Sequence, residues 1–254
     1  MRLKKWLGVR HIQVVMYSVL LFLDIYLTET VKMYVDNTNK QIKGGKFSRI
    51  TRAFSPADLV LIEQVLFAGF VLGRSIWPFF IMRFNNKYLI LGIVLLEIIC
   101  CGVFQQLVVL FELAAFAILV GMVYLLQSAH YSLAINIIAK WVPPNEYTRA
   151  VVVVAAGDTF ARAIVGRSAV WSNNAVMSAI FQISVALKTI WCVIYMVVGA
   201  QDPQTSFLLG KAEWEFLSRE IGPRKKVQCN MKIPWKSILT CPRLYAMDFL
   251  GNCQ

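Results

Sequence analysis

Charge is scarce in this sequence. Of 254 residues only 16% are Asp, Glu, Lys or Arg, against about 25% in soluble domains, while 58% are hydrophobic. Mean hydropathy is +0.60. That balance argues against a water-soluble globular domain and for a chain that lives in lipid. Histidine is rarer still, with His11 and His130 alone, so no His-rich metal spacing exists. No CxxC pair occurs among the six cysteines. Cys100, Cys101 and Cys192 fall in apolar segments, where a thiol acts as a small hydrophobe. Cys229, Cys241 and Cys253 fall in the C-terminal region, expected to be cytosolic and reduced. Neither a disulfide framework nor a metal site is implied. There is no Gly-rich phosphate loop and no nucleophile elbow, so enzyme activity is not expected. No Asn-x-Ser/Thr acceptor occurs. The N-terminal MRLKKWLGVR is basic, but the apolar run after it is too long for a signal-peptide core and reads as a first span.

What is present is apolar sequence in long runs. A bilayer core needs about 20 apolar residues per helix. Six segments qualify, near residues 11–31, 57–82, 88–109, 113–139, 150–171 and 175–199. A polar loop is expected between the first two. An apolar patch at 238–250 is too short to span. The links at 110–112 and 172–174 are so short that their flanking helices must be antiparallel neighbours. The expectation is an all-α integral membrane bundle of six transmembrane helices over 11–199. A cytosolic N-terminus (1–10) would precede it and a cytosolic tail (200–254) would follow it.

The net charge of +12 does not point to nucleic acid, because no stacking platform or recognition motif accompanies it. Basic residues collect in the tails and loops. With the N-terminus inside, the inner segments hold Arg2, Lys4, Lys5, Arg10, Arg83, Lys87, Lys140 and Arg149, and the outer links after spans three and five hold none. The loop after span one, with Lys32 to Arg52, breaks the pattern locally. The sum places both termini in the cytosol.

Each ionisable group at mid-membrane costs about 2.5–3.5 kcal/mol on insertion scales and asks for a reason. Asp58 and Glu29 lie near span ends and can reach the interface. Asp158 and Arg162 are four apart on one helix and can neutralise each other. Glu63 and Arg74 are three turns apart, too far to touch, so each needs a partner elsewhere. His130 is a candidate for proton coupling or for a plain buried pair. Lys188 sits too deep to snorkel and suits a bundle-interior carboxylate such as Glu97. Asp24 stands in mid-span with no assigned partner. Arg74, Arg162 and Arg167 put three guanidiniums on two helices, a set suited to carboxylate or phosphate. Helix-packing salt bridges are the alternative for the same residues.

The polar stretch KWVPPNEYTR, residues 140–149, interrupts two apolar runs, and Pro143 with Pro144 forbids continuous helix. Trp141, Pro143, Pro144 and Glu146 resemble the W-x-P-P-x-E-R-S segment after helix four of the anion:cation symporters in the major facilitator superfamily. That family includes sialin, vesicular glutamate transporters, sodium-dependent phosphate cotransporters and insect-type inorganic phosphate cotransporters. GVRHIQVVMYSVLLFLDIY resembles the family's opening. RFNNKYLILG resembles its turn between helices two and three, and AAGDTFARAIVG its helix five. Trp191 sits as the family's helix-six Trp does. QDPQTSFLLGKAEWEFLSREI resembles the segment after helix six, where a short helix with paired acids follows. KIPWKSILTCPRLYAM resembles the approach to helix seven.

The resemblance implies the N-terminal half of a twelve-helix major facilitator fold. It implies secondary active symport of inorganic phosphate or an organic anion, with sodium or a proton as coupling ion and no other cofactor. The expected site is in a plasma or intracellular vesicle membrane. The partners implied are the bilayer, a small anionic substrate, and either a second copy or a complementary six-helix half. Arg74 and Arg162 are the expected anion contacts, with Arg167 as a further candidate. Glu63, Asp158 and His130 are the candidates for coupling or charge pairing. The sequence also departs from the family pattern. Tyr147 and Glu29 stand where the family has Arg. Phe79 and Phe80 replace the glycines of its Pro-Gly-Gly after Pro78. Val120 takes the place of the helix-four Arg and Gln127 that of its carboxylate. Ser128 and Ser132 replace a nearby Gly and Pro, and Ala161 and Arg167 a helix-five Gly and Pro. These changes open the alternative of a truncated or degenerate, non-transporting membrane protein that acts through partner binding.

Overall fold

Two prolines punctuate the chain where the sequence places a turn. Helix α4 (Leu113–Trp141) stops there and helix α5 (Pro144–Ser168) begins. Pro144 opens α5 because a helix start leaves its first N–H groups unpaired in any case. The Val142 N–H still donates to the Ile138 carbonyl at 2.9 Å, and Glu146 N–H to the Pro143 carbonyl at 3.0 Å. Trp141 is fully buried, and its indole N–H donates to the Ala200 carbonyl at 3.2 Å.

The structure, a computed structural model, describes residues 8–43, 56–110, 113–168 and 174–221. Side chains are described there except at 31–43, 56, 57, 59, 103–110, 113–116, 166–168 and 174–178. The chain divides into two units, 1–223 and 224–254, and everything described lies in the first. The apolar patch at 238–250 and the expected approach to a seventh helix lie outside the described residues. The remaining elements are α1 (Val9–Lys43), α2 (Pro56–Arg83), α3 (Asn86–Leu110), α6 (Asn174–Val198), a 3-10 turn (Pro203–Thr205) and α7 (Lys211–Ile221). No strand occurs among the described residues.

One boundary differs from expectation. Helix α1 continues past residue 31 to Lys43, into the segment expected to be a polar loop. That stretch is polar but holds neither Gly nor Pro, and helix can run through it.

Four helical stretches are long and apolar enough to cross a membrane: Val9–Thr30, Val60–Arg83, Ala117–Trp141 and Ala179–Val198. These match the first, second, fourth and sixth expected spans. The third and fifth are helices of 25 residues each but do not join that set. Helix α5 carries Glu146, Arg149, Asp158 and Arg162, and the side chains of α3 are described only to Gly102. Large apolar side chains such as Phe67, Ile118, Val152, Phe160 and Val193 are exposed on the outside, as a lipid-facing surface requires.

The packing has a simple order. Helix α2 packs on α4, α5 on α1, α6 on α1 and α3 on α4, with α1–α4 and α3–α6 contacts between them. Exchanging α1 with α4, α2 with α5 and α3 with α6 maps each of these pairings onto another or onto itself. A smaller α4–α5 contact beside the proline turn stands outside this exchange. Two of these crossings carry glycine at the contact, because a small residue lets two backbones meet. A Cβ on Gly69 of α2 would lie 2.5 Å from the Gly121 carbonyl oxygen of α4. On the other pair, a Cβ on Gly157 of α5 would run into the Ser18 carbonyl of α1. Ser18 Oγ donates there to the Val153 carbonyl at 2.8 Å.

The end that carries the proline turn is tied together by charge. Glu213 of α7 accepts from the Val9 N–H at 3.0 Å and the Arg10 N–H at 3.3 Å, satisfying free donors at the start of α1. Arg10 reaches Glu146 at 3.4 Å and lies over the Phe216 ring at 4.8 Å. Lys140 pairs with Asp202 at 3.3 Å.

Candidate functional site

Four ionisable side chains meet in the middle of the bundle. Asp24 lies 15 residues into α1, Glu97 11 into α3, His130 11 before the end of α4 and Lys188 10 before the end of α6. At about 1.5 Å of rise per residue, each stands roughly 15–22 Å from the helix ends near the proline turn. All four are buried, none more than 2% exposed.

Their contacts close a ring. Lys188 donates a short hydrogen bond to Glu97 Oε2, and its ammonium lies 2.5 Å from Asp24 Oδ1. The one ammonium thus pairs with both carboxylates. His130 Nδ1 makes a short hydrogen bond with Asp24 Oδ2. Its Nε2 stands 3.7 Å from Glu97 Oε1, beyond hydrogen-bond reach. The first three helices therefore supply two acids and the last three supply two bases. The exchange that relates the helix pairings also relates Asp24 to His130 and Glu97 to Lys188. Taking charges out of water costs several kcal/mol per ion, and only such close pairing offsets it.

Asp24, Glu97 and His130 offer three ligand atoms within 4.8 Å of one another. Chemically they could hold a metal cation, but the Lys188 ammonium already lies against both carboxylates. A metal would have to displace it.

Around the ring the polar side chains are neutral. Gln127 accepts from Thr28 Oγ1 at 2.7 Å and donates to the Asp24 carbonyl at 3.3 Å. The Tyr17 and Tyr195 hydroxyls share a short hydrogen bond. Trp191 stacks on Tyr195 at 4.8 Å and donates to the Met16 carbonyl at 2.9 Å.

The arginines lie elsewhere. Arg162 is claimed by two carboxylates, with Nε donating to Asp158 Oδ1 at 2.7 Å and Nη1 to Glu29 Oε1 at 3.2 Å. The expected Asp158–Arg162 pair forms, and Glu29 is held by Arg162 in addition to lying near a span end. Arg74 is exposed on α2. Its guanidinium lies over Phe70 at 4.7 Å and near Tyr131 at 5.9 Å, and no carboxylate pairs with it among the described residues. Glu63 is exposed three turns away, without a cationic partner among the described residues. Arg167 is in the last turn of α5, and its side chain lies outside the described residues.

The structure thus brings together the expected Lys188 and Glu97 and joins His130 to them. Sequence reasoning left Asp24 without a role. Its signal was its depth, which is comparable with that of the other three members.

No family model matches the chain. Similarity to known proteins is distant and consistent in kind. A protein of Drosophila ananassae named "Putative inorganic phosphate cotransporter" is 27% identical over 116 residues, 44% of this chain and 24% of that protein. A protein of Oryza sativa subsp. japonica named "Probable anion transporter 4, chloroplastic" is 23% identical over 203 residues, 79% of this chain and 34% of that protein. The matched stretches thus span between a quarter and a third of those relatives. Apolar helices together with relatives of this kind mark a multi-pass membrane protein.

Proposed function

We propose that this chain is a six-helix half of a major facilitator anion symporter, carrying inorganic phosphate or an organic anion in company with a sodium ion or proton. The packing that maps α1–α3 onto α4–α6 supports it, since paired three-helix repeats build each half of such transporters. The names of the two relatives support it independently. The membrane would be the plasma membrane or that of an intracellular vesicle, with both chain ends in the cytosol. A second copy or a complementary half would cover α2 and α5 and complete the pathway.

The single observation that carries the anion role is Arg74. Its guanidinium is exposed, stacked on aromatic rings and free of any carboxylate among the described residues. A planar cation so placed keeps its donors for an incoming oxyanion. Arg162 is a weaker contact than its position suggested, because Asp158 and Glu29 already neutralise it. The test is uptake of radiolabelled phosphate into proteoliposomes under imposed sodium or proton gradients. Arg74→Gln is expected to lower uptake at least tenfold, and Arg162→Gln less than threefold. Equal losses in both variants would refute the assignment.

One observation favours a second reading, a chain that binds a partner without transporting. Gln127, where the resembled family has a carboxylate, is hydrogen-bonded through both its oxygen and its nitrogen as a neutral side chain. Uptake no greater than that of empty vesicles, under either gradient and with the protein folded, would decide for this reading.

A further inference from the structure

We infer that the ring of Asp24, Glu97, His130 and Lys188 is a binding site for one exchangeable proton and excludes sodium. Two carboxylates face one ammonium, and His130 is the fourth member. With an imidazolium the ring sums to zero. With a neutral imidazole one negative charge is left over in the core, where a net charge is poorly tolerated. A single proton on His130 therefore sets the balance of the whole site.

The second observation is an unfinished contact. His130 Nε2 and Glu97 Oε1 are buried without hydrogen-bond partners among the described residues and face each other at 3.7 Å. Buried polar atoms in native structures are rarely left unpaired, and each exception asks for an explanation. A proton on Nε2 supplies one, because a small closing movement then completes a charge-assisted bond to Glu97. Without that proton, two acceptors face each other and the gap must widen. Protonation is thus coupled to the separation of α4 from α3.

The third observation concerns cations. The place between the two carboxylates is occupied by Lys188, a cation tethered to α6. A sodium ion could enter only by displacing a covalently held ammonium from the same oxygens. A proton needs no such vacancy.

Among the described residues no other charge intrudes on His130. Among the helices packed against α4, α1 contributes Asp24, and α3 contributes Glu97 with the thiol of Cys101 a turn beyond. On α5 and α1, Asp158, Arg162 and Glu29 are engaged with one another. On α2, Glu63 and Arg74 are exposed. Toward the C-terminal side of α1 lies a cavity of about 20 Å³ walled by Leu27, Val120, Val123 and Phe181, among others. Thr28, Cys101 and Tyr124 complete its lining. The inference rests on the proposed transport solely for what the proton would drive.

The chain's two histidines make the site directly readable. The full chain is labelled with ¹⁵N-imidazole histidine, carries His11→Gln to leave one signal, and is reconstituted in lipid for solid-state NMR. Between pH 5 and pH 10 the His130 nitrogens are expected to pass once from imidazolium to imidazole. The midpoint should stay unchanged when sodium chloride is replaced by choline chloride, and Glu97→Gln should change the proton affinity at least tenfold. If His11→Gln fails to fold, wild type compared with His130→Gln assigns the same signal. A spectrum constant across that range would make the ring a fixed ion pair, and a midpoint that follows sodium would make it a sodium site. Either overturns the inference. A titrating ring with no uptake would instead overturn the transport reading alone.

Discussion

Replacing Lys188 by Met puts the greatest strain on the central ring. The substitution keeps the apolar stem and removes the ammonium that lies against Asp24 and Glu97. Two buried carboxylates then share one imidazole. Breaking a buried pair by removing one partner costs about 3–5 kcal/mol. That is the scale of one unit-charge interaction at about 4 Å and an effective dielectric near 20, roughly 4 kcal/mol. For a chain of this size each kcal/mol moves the melting midpoint by about 2–4 °C, so a fall of about 6–20 °C is expected. Removing one carboxylate as well should reverse much of it. In Lys188→Met with Glu97→Gln, Asp24 and His130 remain as a balanced pair, and more than half of the lost stability should return. The assay is thermal unfolding in detergent with a thiol-reactive fluorophore. Cys101 and Cys192 are buried free thiols and report opening of the core once the half-buried Cys100 is changed to Ala and Cys229, Cys241 and Cys253 to Ser. The electrostatic account fails if Lys188→Met melts within about 2 °C of wild type. It fails equally if the double variant loses the sum of the two single losses, since groups in one network must be non-additive.

Other parts of the fold can be tested in the same assay. Gly157→Val should destabilise by about 1–3 kcal/mol, because its Cβ meets the Ser18 carbonyl. Gly102→Val, where an added Cβ meets nothing within 4 Å, should cost far less. Trp141→Phe keeps the ring but strands the Ala200 carbonyl. A loss of about 1–3 kcal/mol is expected, with faster proteolysis at the α6–α7 connection. Glu213→Gln keeps its shape and loses the charge at the start of α1. Faster hydrogen exchange at residues 9–13, for about 0.3–1 kcal/mol, is the expected result.

Local rules read well from the sequence. The two prolines located the α4–α5 break, and a spacing of four residues predicted the Asp158–Arg162 pair. Depth along a helix pointed Lys188 to a bundle-interior carboxylate such as Glu97, because the lysine is too far from either end to reach water. What escaped depended on rotation about helix axes, which apolar sequence leaves free. Helices that are hydrophobic on every side give no amphipathic stripe to show which face turns inward. Asp24 could not be joined to His130, nor Glu29 to Arg162, until the crossings were known. The α1 extension escaped for another reason: polarity was read as loop, although nothing in that stretch breaks a helix. The order of the packing was hidden as well, since it relates helix positions and leaves no alignable repeat in the sequence.

The division of the ring into acids from the first three helices and bases from the last three bears on how the chain is made. Glu97 finds Lys188 91 residues later, and Asp24 finds His130 after 106. At about 5–20 residues per second, Glu97 waits roughly 5–18 s for its counter-charge. Until His130 is made the first three helices hold two uncompensated carboxylates in or beside lipid, and until Lys188 is made the ring still lacks its ammonium. They should resist release from the insertion machinery, and a chain cut after residue 112 should be degraded in a pulse-chase experiment far faster than one ending at residue 223. The arrival of Lys188 would then act as a quality mark, telling a finished bundle from an unfinished one by charge alone.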